Sequence, residues 1–526
     1  MLRRLSDGRF RIQAQYFCLA LSILLVTLYN FPFWRHVIAT RGGISRGDIA
    51  FLLSLWLLLV ALTHAFISLL CAKFVLRPAA IVLVLSASIA LYFIHGYGIL
   101  IDPSMIENVA ETDPAEVRDL LNPGIFVFVL LTGLLPALLI TRVRIVYRGV
   151  IRQLALNLLN MAAGLIVASI ILFGFYEDYA SLSQNHRDLR FLLLPSSYIH
   201  STFVYIRSRA DDDTALITVG ADAAQAPAWS AHARRSVTVL VVGETARAAN
   251  FGIYGYGRNT TPELAKENLI GFNRVHSCGT STAVSLPCMF SNLTRREFEK
   301  AEALRRENLL DVVSRAGLRV VWRDNDSGCK DVCDRIEYED LSMPRADALC
   351  NSEECYDEIL LQGLDELIDR SERDLLIVLH QKGSHGPAYY KRVPGRFRRF
   401  TPVCADSDLK HCSTEEIVNA YDNTILYTDY FLGRLLGMLK QRATRKDTAL
   451  LYLSDHGESL GEDNLYLHGT PYLFAPEEQT HVPFLVWLSQ SYAQDFGIDS
   501  QCLRQKAGGD YSHDNLFHSL LGMLDI

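Results

Sequence analysis

The feature that most limits how this chain can fold is a series of long stretches without a charged side chain. Five such stretches contain no Asp, Glu, Lys or Arg, and they cover residues 12–34, 49–72, 78–101, 122–141 and 153–176. Each is long enough for a helix to cross about 30 Å of hydrocarbon, which takes roughly 20 residues. One stretch of this kind occurs in soluble cores, but five in succession predict a membrane domain with five spanning helices.

The basic residues between these stretches predict the orientation in the membrane. The N-terminal segment and the second and fourth loops together hold ten Lys and Arg residues, whereas the first and third loops hold four. Because Lys and Arg concentrate in cytoplasmic loops, the N-terminus is expected in the cytoplasm and everything after Tyr176 outside it. The first stretch has Arg on both flanks and no small-residue cleavage site, so we expect a retained anchor.

Cysteine spacing supports an oxidising location for the rest of the chain. Eight of the 11 cysteines form close pairs, namely Cys278 with Cys288, Cys329 with Cys333, Cys350 with Cys355, and Cys404 with Cys412. Pairs of this kind suit disulfides outside the cytosol, and none has the two-residue spacing of a Cys-x-x-Cys zinc site. We therefore predict four disulfides. Cys18 and Cys71 are expected to be inert thiols in membrane segments, and Cys502 has no assigned role.

Net charge excludes one class of partner. The formal charge is −7 and no extended basic stripe occurs, which argues against nucleic-acid binding. The third loop, 102–121, holds six acids and one Arg on the expected outer face. It is either a solvated acidic loop or a surface that contacts substrate.

Three regions follow from these patterns. Residues 1–176 are expected to form the five-span domain with a cytoplasmic N-terminus. Residues 177–235 hold an amphipathic stretch suited to a helix at the membrane surface, followed by an Ala-rich linker. Residues 236–526 are expected to form a globular domain outside the cytoplasm.

The globular region alternates between short aliphatic runs and amphipathic segments. Strands are predicted at 236–244, 317–325, 374–382, 448–456 and 481–489, and helices at 302–316, 355–372 and 415–441. This alternation predicts an α/β fold with a mostly parallel sheet sandwiched by helices.

Reactive groups follow four of the predicted strands. They are Glu244, then Asp324 and Lys330, then His380 and His385, and finally Asp455 and His456. Ligands bind at the carboxyl ends of such strands, so these groups are expected to form one site. Carboxylate and imidazole donors suit Zn²⁺, with Mn²⁺ as the main alternative.

A hydroxyl-rich loop lies between the first paired cysteines. Thr280, Ser281, Thr282 and Ser285 separate Cys278 from Cys288, and the residues that follow favour a helix start, although Pro287 makes a regular helix uncertain. A hydroxyl that joined the metal site would lose its proton easily and act as a nucleophile. The residues alone do not choose among the four.

Basic groups near this site are candidates for holding phosphate. They are Lys330, His380, His385 and His468. A single histidine in a folded domain is usually structural. The Gly-rich, polar sequences HQKGSHGP and SDHGESLGEDNLYLHG follow strands, however, which favours function for His385, His456 and His468.

At these motifs the chain resembles a known family. VVGETARAANFGIYGYGRNTTPEL, SCGTSTAVSLPCMFSNL, WRDNDSGCKDVC, LHQKGSHGPAYYKR and YLSDHGESLGEDNLYLHGTPY are similar to the lipid A phosphoethanolamine transferases, which include the mobile colistin-resistance enzymes. The resemblance covers nearly the whole chain. It implies an alkaline-phosphatase and sulfatase-like fold, and a multi-pass protein of the Gram-negative inner membrane with its catalytic domain in the periplasm.

The resemblance also implies residue roles. Thr282 matches the family's nucleophile, and Glu244, Asp455 and His456 match the ligands that hold the catalytic zinc together with it. Lys330, His385 and His468 match residues that contact the substrate phosphate or additional zinc ions, and His380 is a weaker match. One departure is Ala246, near which many relatives have Asn.

The implied reaction is a ping-pong transfer. Thr282 takes phosphoethanolamine from phosphatidylethanolamine and passes it to a phosphate of lipid A, with His385 or His468 as a candidate proton donor. The product carries less negative charge, which implies polymyxin resistance. The chain is expected to act as a monomer.

Other functions stay open on sequence alone. The acceptor is alternatively the Kdo or heptose of the lipopolysaccharide core, and a lipoteichoic-acid-synthase-like glycerophosphotransferase shares five spans and a Thr nucleophile. A sulfatase would need a modified Cys or Ser in a different motif. A non-catalytic sensor would keep the fold only for binding.

Overall fold

The structure is a computed structural model that describes residues 3–4, 10–40, 46–112, 114–176, 178–179, 182, 186, 188–210, 215–227, 229, 232 and 234–526. The chain forms two compact units. The first comprises Met1–Ile106 and Leu121–Val204, and the second comprises Glu107–Leu120 and Tyr205–Ile526. The segment 107–120 therefore belongs to the second unit, although it lies between the third and fourth apolar stretches in sequence.

The first unit contains the apolar helices that the composition predicts. Four are long and apolar enough to cross a membrane, and they are Asp48–Leu69, Leu76–Tyr97, Pro123–Arg142 and Val150–Gly174. A fifth span exists if the bent pair Ala14–Leu28 and Phe31–Thr40 is counted as one.

That bend is a departure from the continuous first span expected from sequence. The two helices meet at 53°. Between them the buried Asn30 donates from Nδ2 to the carbonyls of Leu25 and Leu194 at 3.0 and 2.7 Å, and its Oδ1 accepts the Leu194 amide at 2.8 Å. Pro32 stands in the first turn of the second helix, where its missing N–H costs nothing. An amide side chain thus takes over the backbone hydrogen bonding at the break.

The expected surface segment is helical in part. The helix Ser196–Ala210 lies within it, as does the short helix Leu189–Leu192. Much of the remaining stretch to residue 235 lies outside the described residues, including parts of the expected linker.

The second unit is built on a seven-stranded sheet. In chain order its strands are β1 (Arg235–Gly243), β2 (Ile270–Phe272), β3 (Arg319–Asp324), β4 (Glu337–Asp340), β5 (Leu375–His380), β6 (Lys446–Ser454) and β7 (Phe484–Leu488). Their order across the sheet is β2-β7-β6-β1-β5-β3-β4. Strands β6, β1, β5, β3 and β4 are parallel, and β7 pairs antiparallel with both β6 and β2, so β7 alone in this sheet runs against the other strands. The five predicted strands and the mostly parallel sheet are confirmed.

The central strands are buried on both faces, which explains their nearly continuous aliphatic sequences. Val239, Val241, Ile377 and Leu451 have no exposed surface. The long helix Thr414–Arg442 matches the predicted 415–441 and begins at a capping box made by Ser413 and Glu416.

Two predicted helices are interrupted. The region 302–316 forms Lys300–Leu304 and Leu309–Arg315, because Asn308 caps a new helix start with Asp311. The region 355–372 forms a 3₁₀ segment Asp357–Leu361 and the helix Leu364–Arg370, separated by Gly363 at φ +69°.

All four predicted disulfides are present. They join Cys278 to Cys288, Cys329 to Cys333, Cys350 to Cys355 and Cys404 to Cys412. Cys18, Cys71 and Cys502 are free thiols.

Candidate active site

Thr282 is the first residue of the helix Thr282–Met289, which begins directly after the stapled loop. Pro287 is accommodated inside this helix. The Thr282 Oγ1 donates a hydrogen bond to Oε2 of Glu244 at 3.1 Å and lies 3.4 Å from Nε2 of His456. Thr282 is therefore the loop hydroxyl that meets the groups at the strand ends.

The hydroxyls of Thr280 and Ser285 have structural hydrogen bonds instead, and Ser281 is held through its main chain. Thr280 donates to the Thr470 carbonyl at 2.7 Å, and its own carbonyl accepts the Gly469 amide. Ser285 accepts the Gly279 amide at 3.0 Å. Ser281 is the residue before the helix, and its carbonyl accepts the Ser285 amide. These bonds fix the loop around Thr282.

Glu244, Asp455 and His456 lie together at the carboxyl ends of β1 and β6. Their ligand atoms all lie within 4.8 Å of one another, and all three side chains are fully buried. Nε2 of His456 is 3.2 Å from Oδ2 of Asp455 and 3.6 Å from Oε1 of Glu244. The parallel pairing of β1 with β6 brings these residues together from more than 200 positions apart in sequence.

The hydrogen bonds of His456 suit the binding of a cation by this cluster. Its Nδ1 lies 2.9 Å from the Gly457 carbonyl, which only accepts, so Nδ1 carries the hydrogen. Burial lowers the pKa of His456 well below its usual range, so the ring is neutral and Nε2 presents a lone pair. Within the described residues, Glu244 Oε1 and Asp455 Oδ2 have no hydrogen-bond donor. Several lone pairs thus converge where a divalent ion would be held.

The raised pKa values of Glu244 and Asp455 also suit the binding of a cation. Burial raises the pKa of Glu244 well above its usual range, and the neighbouring Asp455 and Asp326 raise it further. Burial likewise raises the pKa of Asp455. Crowded, desolvated carboxylates resist ionisation until a cation joins them, and this donor set of two carboxylates, an imidazole and a hydroxyl fits Zn²⁺.

Backbone packing fixes the Glu244 side chain. Gly383 lies at φ +53°, and a Cβ there would come within 2.6 Å of the Glu244 carbonyl oxygen. The Ser384 amide donates to that carbonyl at 3.0 Å. The turn after β5 therefore needs glycine at residue 383 to pack against Glu244.

His468 and His385 face the same region. The rings of His468 and His456 are 4.5 Å apart, and those of His468 and His385 are 5.3 Å apart. His468 Nδ1 lies 2.9 Å from Glu458 Oε2, and the Tyr389 hydroxyl donates to the other oxygen of Glu458 at 2.6 Å. The site thus brings three histidines together next to Thr282.

His380 takes a different position, at the end of β5. Its Nδ1 lies 2.9 Å from Asp324 Oδ2, which also accepts from the Trp322 indole at 2.8 Å. Burial lowers the pKa of His380, but the carboxylates of Asp324, Asp326 and Asp455 together outweigh burial and the net pKa is raised. His380 shares a second cluster of possible metal donors with Glu244 and Asp326.

Lys382 adds a positive charge to that second cluster. Its Nζ lies 3.2 Å from Oδ1 of Asp326. Burial raises the pKa of Asp326, but Lys382, His380 and His385 together outweigh burial and the net pKa lies well below the usual range. Asp326 is therefore an ionised, paired carboxylate.

Lys330 lies at the edge of the site in an unusual backbone conformation, with φ +51°. Its Nζ donates to the carbonyls of Ser327 at 3.2 Å and Glu111 at 3.4 Å. It lines a cavity of about 590 Å³ with Glu111, Asp331 and Tyr338. These contacts do not join Lys330 to Thr282.

Four residues of this region were not singled out from sequence. Glu458, Asp326, Lys382 and Asp357 position histidines, carboxylates or the turn after β5. Glu458, Asp326 and Lys382 lie inside the quoted motifs, so their place in those motifs was the signal that could have found them.

Comparison with known proteins defines the class. Residues 59–210 match the family model "Phosphoethanolamine transferase EptA/EptB", and residues 236–526 match the family model "Sulfatase". The chain belongs to the phosphoethanolamine transferases, with a sulfatase-like α/β domain joined to apolar helices, and it is an enzyme of this kind.

Individual relatives agree with this class. The chain is 40% identical to phosphoethanolamine transferase EptA of Salmonella typhimurium, with 97% of this chain and 93% of the relative covered. It is 39% identical to phosphatidylethanolamine transferase Mcr-1 of Escherichia coli, with 89% and 88% covered. The solved structure of the integral membrane protein lipooligosaccharide phosphoethanolamine transferase A from Neisseria meningitidis matches with a TM-score of 0.93 at 36% identity, covering 97% of this chain and 95% of that one.

Proposed function

We propose that the protein transfers phosphoethanolamine from phosphatidylethanolamine to a phosphate of lipid A, with Thr282 as the transient carrier. The observation that carries the proposal is the contact of the Thr282 hydroxyl with Glu244 and His456 at a buried, cation-ready cluster. Relatives named EptA and Mcr-1 support the transferred group, since both are named for phosphoethanolamine or phosphatidylethanolamine transfer.

Glu244, Asp455 and His456 would hold a zinc ion together with Thr282. When bound, the ion lowers the pKa of the Thr282 hydroxyl and offsets negative charge on the phosphoryl oxygens. Glu244 Oε2 already accepts the Thr282 hydroxyl hydrogen at 3.1 Å and so orients Oγ1 for attack.

In the first half-reaction, Thr282 gives its hydroxyl proton to Glu244 Oε2, the oxygen that already accepts its hydrogen bond, and Oγ1 forms a bond to the donor phosphorus. The bond from phosphorus to the glycerol oxygen breaks, and diacylglycerol leaves after taking a proton. His468 is our candidate for giving that proton, because Glu458 holds its ring beside His456. His385 and Lys330, from the surrounding loops, and His380, at the end of β5, are proposed to contact phosphoryl oxygens.

In the second half-reaction, a phosphate oxygen of lipid A bonds to the same phosphorus. The bond to Thr282 Oγ1 then breaks, and Thr282 regains its proton. The product gains an ammonium group near an anionic phosphate, which weakens attraction for cationic peptides such as polymyxins. We place the enzyme in the Gram-negative inner membrane, as a monomer, with the second unit in the periplasm.

Mass spectrometry of Thr282 tests the first half-reaction directly. The full-length zinc-loaded protein is incubated with phosphatidylethanolamine and no acceptor, and the peptide containing Thr282 is expected to gain one phosphoethanolamine group. Thr282→Ala is expected to lose the adduct and all transfer, whereas Ser281→Ala keeps both. An adduct on Ser281, or full activity of Thr282→Ala, contradicts the proposal. Mass spectrometry of lipid A and core fragments from expressing cells tests the acceptor, and a modified core with unmodified lipid A contradicts it.

A further inference from the structure

The segment 107–120 places a buried carboxylate inside the second unit. Asp119, at the end of the helix Pro114–Leu120, is 5% exposed. Its Oδ1 accepts from Lys391 Nζ at 2.6 Å, and its Oδ2 accepts from Arg392 Nη2 at 2.6 Å. Asp119 is therefore held by two cations from a single short stretch of the catalytic unit.

Arg392 carries this contact towards the active site. Its side chain is 1% exposed, and Glu354 binds its second terminal nitrogen. Its Nε donates to the carbonyl of His385 at 2.9 Å. In the planar guanidinium, each terminal nitrogen thus contacts a carboxylate, and Nε donates to the main-chain carbonyl of His385.

A guanidinium held at both terminal nitrogens also fixes the position of the group that its Nε contacts. Because the five donors of Arg lie in one plane, fixing both terminal nitrogens also fixes the direction of Nε. The two carboxylates thereby determine where the His385 carbonyl lies, and the His385 ring stands 5.3 Å from that of His468.

The same segment also contacts Lys330, a second residue that we propose to hold phosphate. Lys300 pairs with both Glu107 and Glu111 at 2.9 Å, and the Glu111 carbonyl accepts from Lys330 Nζ at 3.4 Å. Two proposed phosphate-contacting residues, His385 and Lys330, are therefore supported by a stretch that lies outside residues 236–526.

We propose that Asp119 is a positioning residue for phosphoethanolamine transfer, acting through Arg392 on His385. The inference rests on the proposed role of His385 in that reaction. It gives the acidic loop between the third and fourth spans a function in catalysis rather than in solvation alone.

Replacement of Asp119 in the full-length, zinc-loaded enzyme tests this inference. Diacylglycerol release from phosphatidylethanolamine in detergent micelles is measured for Asp119→Asn. We expect kcat to fall about 10- to 100-fold with KM little changed, since a misplaced reacting group costs up to roughly that much. The thermal midpoint is recorded alongside. Wild-type turnover in this variant overturns the inference.

Glu353→Gln is the matched control. Glu353 also binds Lys391, at 2.8 Å, but the structure gives it no contact with Arg392 among the described residues. Turnover within about 2-fold of wild type is expected, because the chain of contacts to His385 is intact. A loss equal to that of Asp119→Asn would trace the effect to Lys391 or to charge, and would overturn the inference.

A double variant separates positioning from general stability. If Asp119 acts through His385, Asp119→Asn has no further effect on the residual turnover of His385→Ala. Effects that multiply instead overturn the inference. Should Asp119→Asn fail to fold, Asp119→Glu takes its place, because it keeps the charge and moves the carboxylate by one methylene. Wild-type turnover of that variant also overturns the inference, whereas an active Thr282→Ala overturns the proposed function independently of any Asp119 result.

Discussion

The Nδ1 atom of His468 lies 2.9 Å from Oε2 of Glu458, and the Tyr389 hydroxyl donates to the other oxygen of the same carboxylate. A buried carboxylate in this position fixes the orientation of the His468 ring. Glu458 has no exposed surface, so its charge acts on His468 with little screening by solvent.

We therefore expect Glu458→Gln to lower kcat about 10- to 100-fold, as for other carboxylates that orient a functional histidine. The amide keeps the size of the side chain but removes the charge. Tyr389→Phe is the control, because it removes one hydrogen bond and leaves the carboxylate, and its effect should be smaller. Steady-state assays with phosphatidylethanolamine measure both, and equal losses would argue against a role for the charge.

Removal of bound metal should destabilise the protein more at pH 8 than at pH 5. The pKa values of Glu244 and Asp455 are raised by burial in the ion-free site. A carboxyl group with a raised pKa contributes stability below its unfolded pKa and loses that contribution as pH rises through the folded value. Thermal midpoints of chelated and zinc-restored protein across this range measure the difference. A gap that does not widen with pH would show that other groups dominate.

The disulfide Cys278–Cys288 should matter for activity beyond its effect on stability. Its sequence separation is 10, and that of Cys404–Cys412 is 8, so loop-closure entropy predicts a similar cost of about 2–3 kcal/mol for removing either. We expect Cys278→Ala with Cys288→Ala to lose most turnover, because this bridge holds the helix that begins at Thr282. The Cys404→Ala, Cys412→Ala protein should lose a similar amount of thermal stability and retain turnover. Equal turnover in the two proteins would contradict the assignment.

Gly383→Ala should disturb Glu244, which we propose as a metal ligand. The added Cβ would lie 2.6 Å from the Glu244 carbonyl oxygen, and the left-handed backbone adds about 1–2 kcal/mol of strain. Gly363→Ala is the matched control, since its φ is +69° and no atom lies within 4 Å of the added Cβ. Both variants should lose stability, but only Gly383→Ala should bind less zinc, as measured by metal content after desalting. Equal zinc content in the two variants would show that the Cβ added at residue 383 does not disturb the metal site.

His513 should make the second unit acid-sensitive. Its Nδ1 accepts the Cys278 amide at 3.1 Å, its Nε2 bonds the Ser454 carbonyl at 3.0 Å, and burial lowers its pKa to about 4. A histidine with a depressed pKa stabilises the fold above its unfolded pKa and loses that contribution as pH falls. Between about pH 6.5 and 4, this group should remove roughly 1.4 kcal/mol of stability per pH unit. Thermal midpoints of wild type and His513→Gln across that range measure it, and a constant difference would contradict the assignment.

Much of the fold was predictable because the central strands are aliphatic and buried on both faces. The strands that escaped prediction are short or polar. β4 has the sequence EYED, all of it exposed, and it is held by backbone pairing and by ion pairs from Arg319 and Arg323 to Glu337 and Glu339. The sequence of β4 has no alternating hydrophobic pattern. The strand forms because β3 presents backbone N–H and C=O groups with which it pairs.

The site was predictable to the extent that its donors follow strands. The order of strands across the sheet decides which strand ends lie next to each other. The sequence separation of Glu244 and Asp455 does not indicate how far apart they are in space. The choice of Thr282 from four hydroxyls required the family resemblance, and the structure adds the bonds that occupy Thr280 and Ser285. The contact of Asp119 with Arg392 spans 273 positions, and no local pattern indicates it.

The division of the second unit between 107–120 and 205–526 has a consequence for how the protein is made. Asp119 is synthesised before the last two apolar helices, and Arg392 is synthesised long after them. The second unit therefore completes its fold only late in synthesis. Exchange of catalytic units between relatives faces the same constraint. A chimera joined near residue 205 would combine the loop 107–120 of one relative with the Arg392 of another, and we expect it to lose activity. Hybrids in which 107–120 and the catalytic unit come from the same relative should regain it.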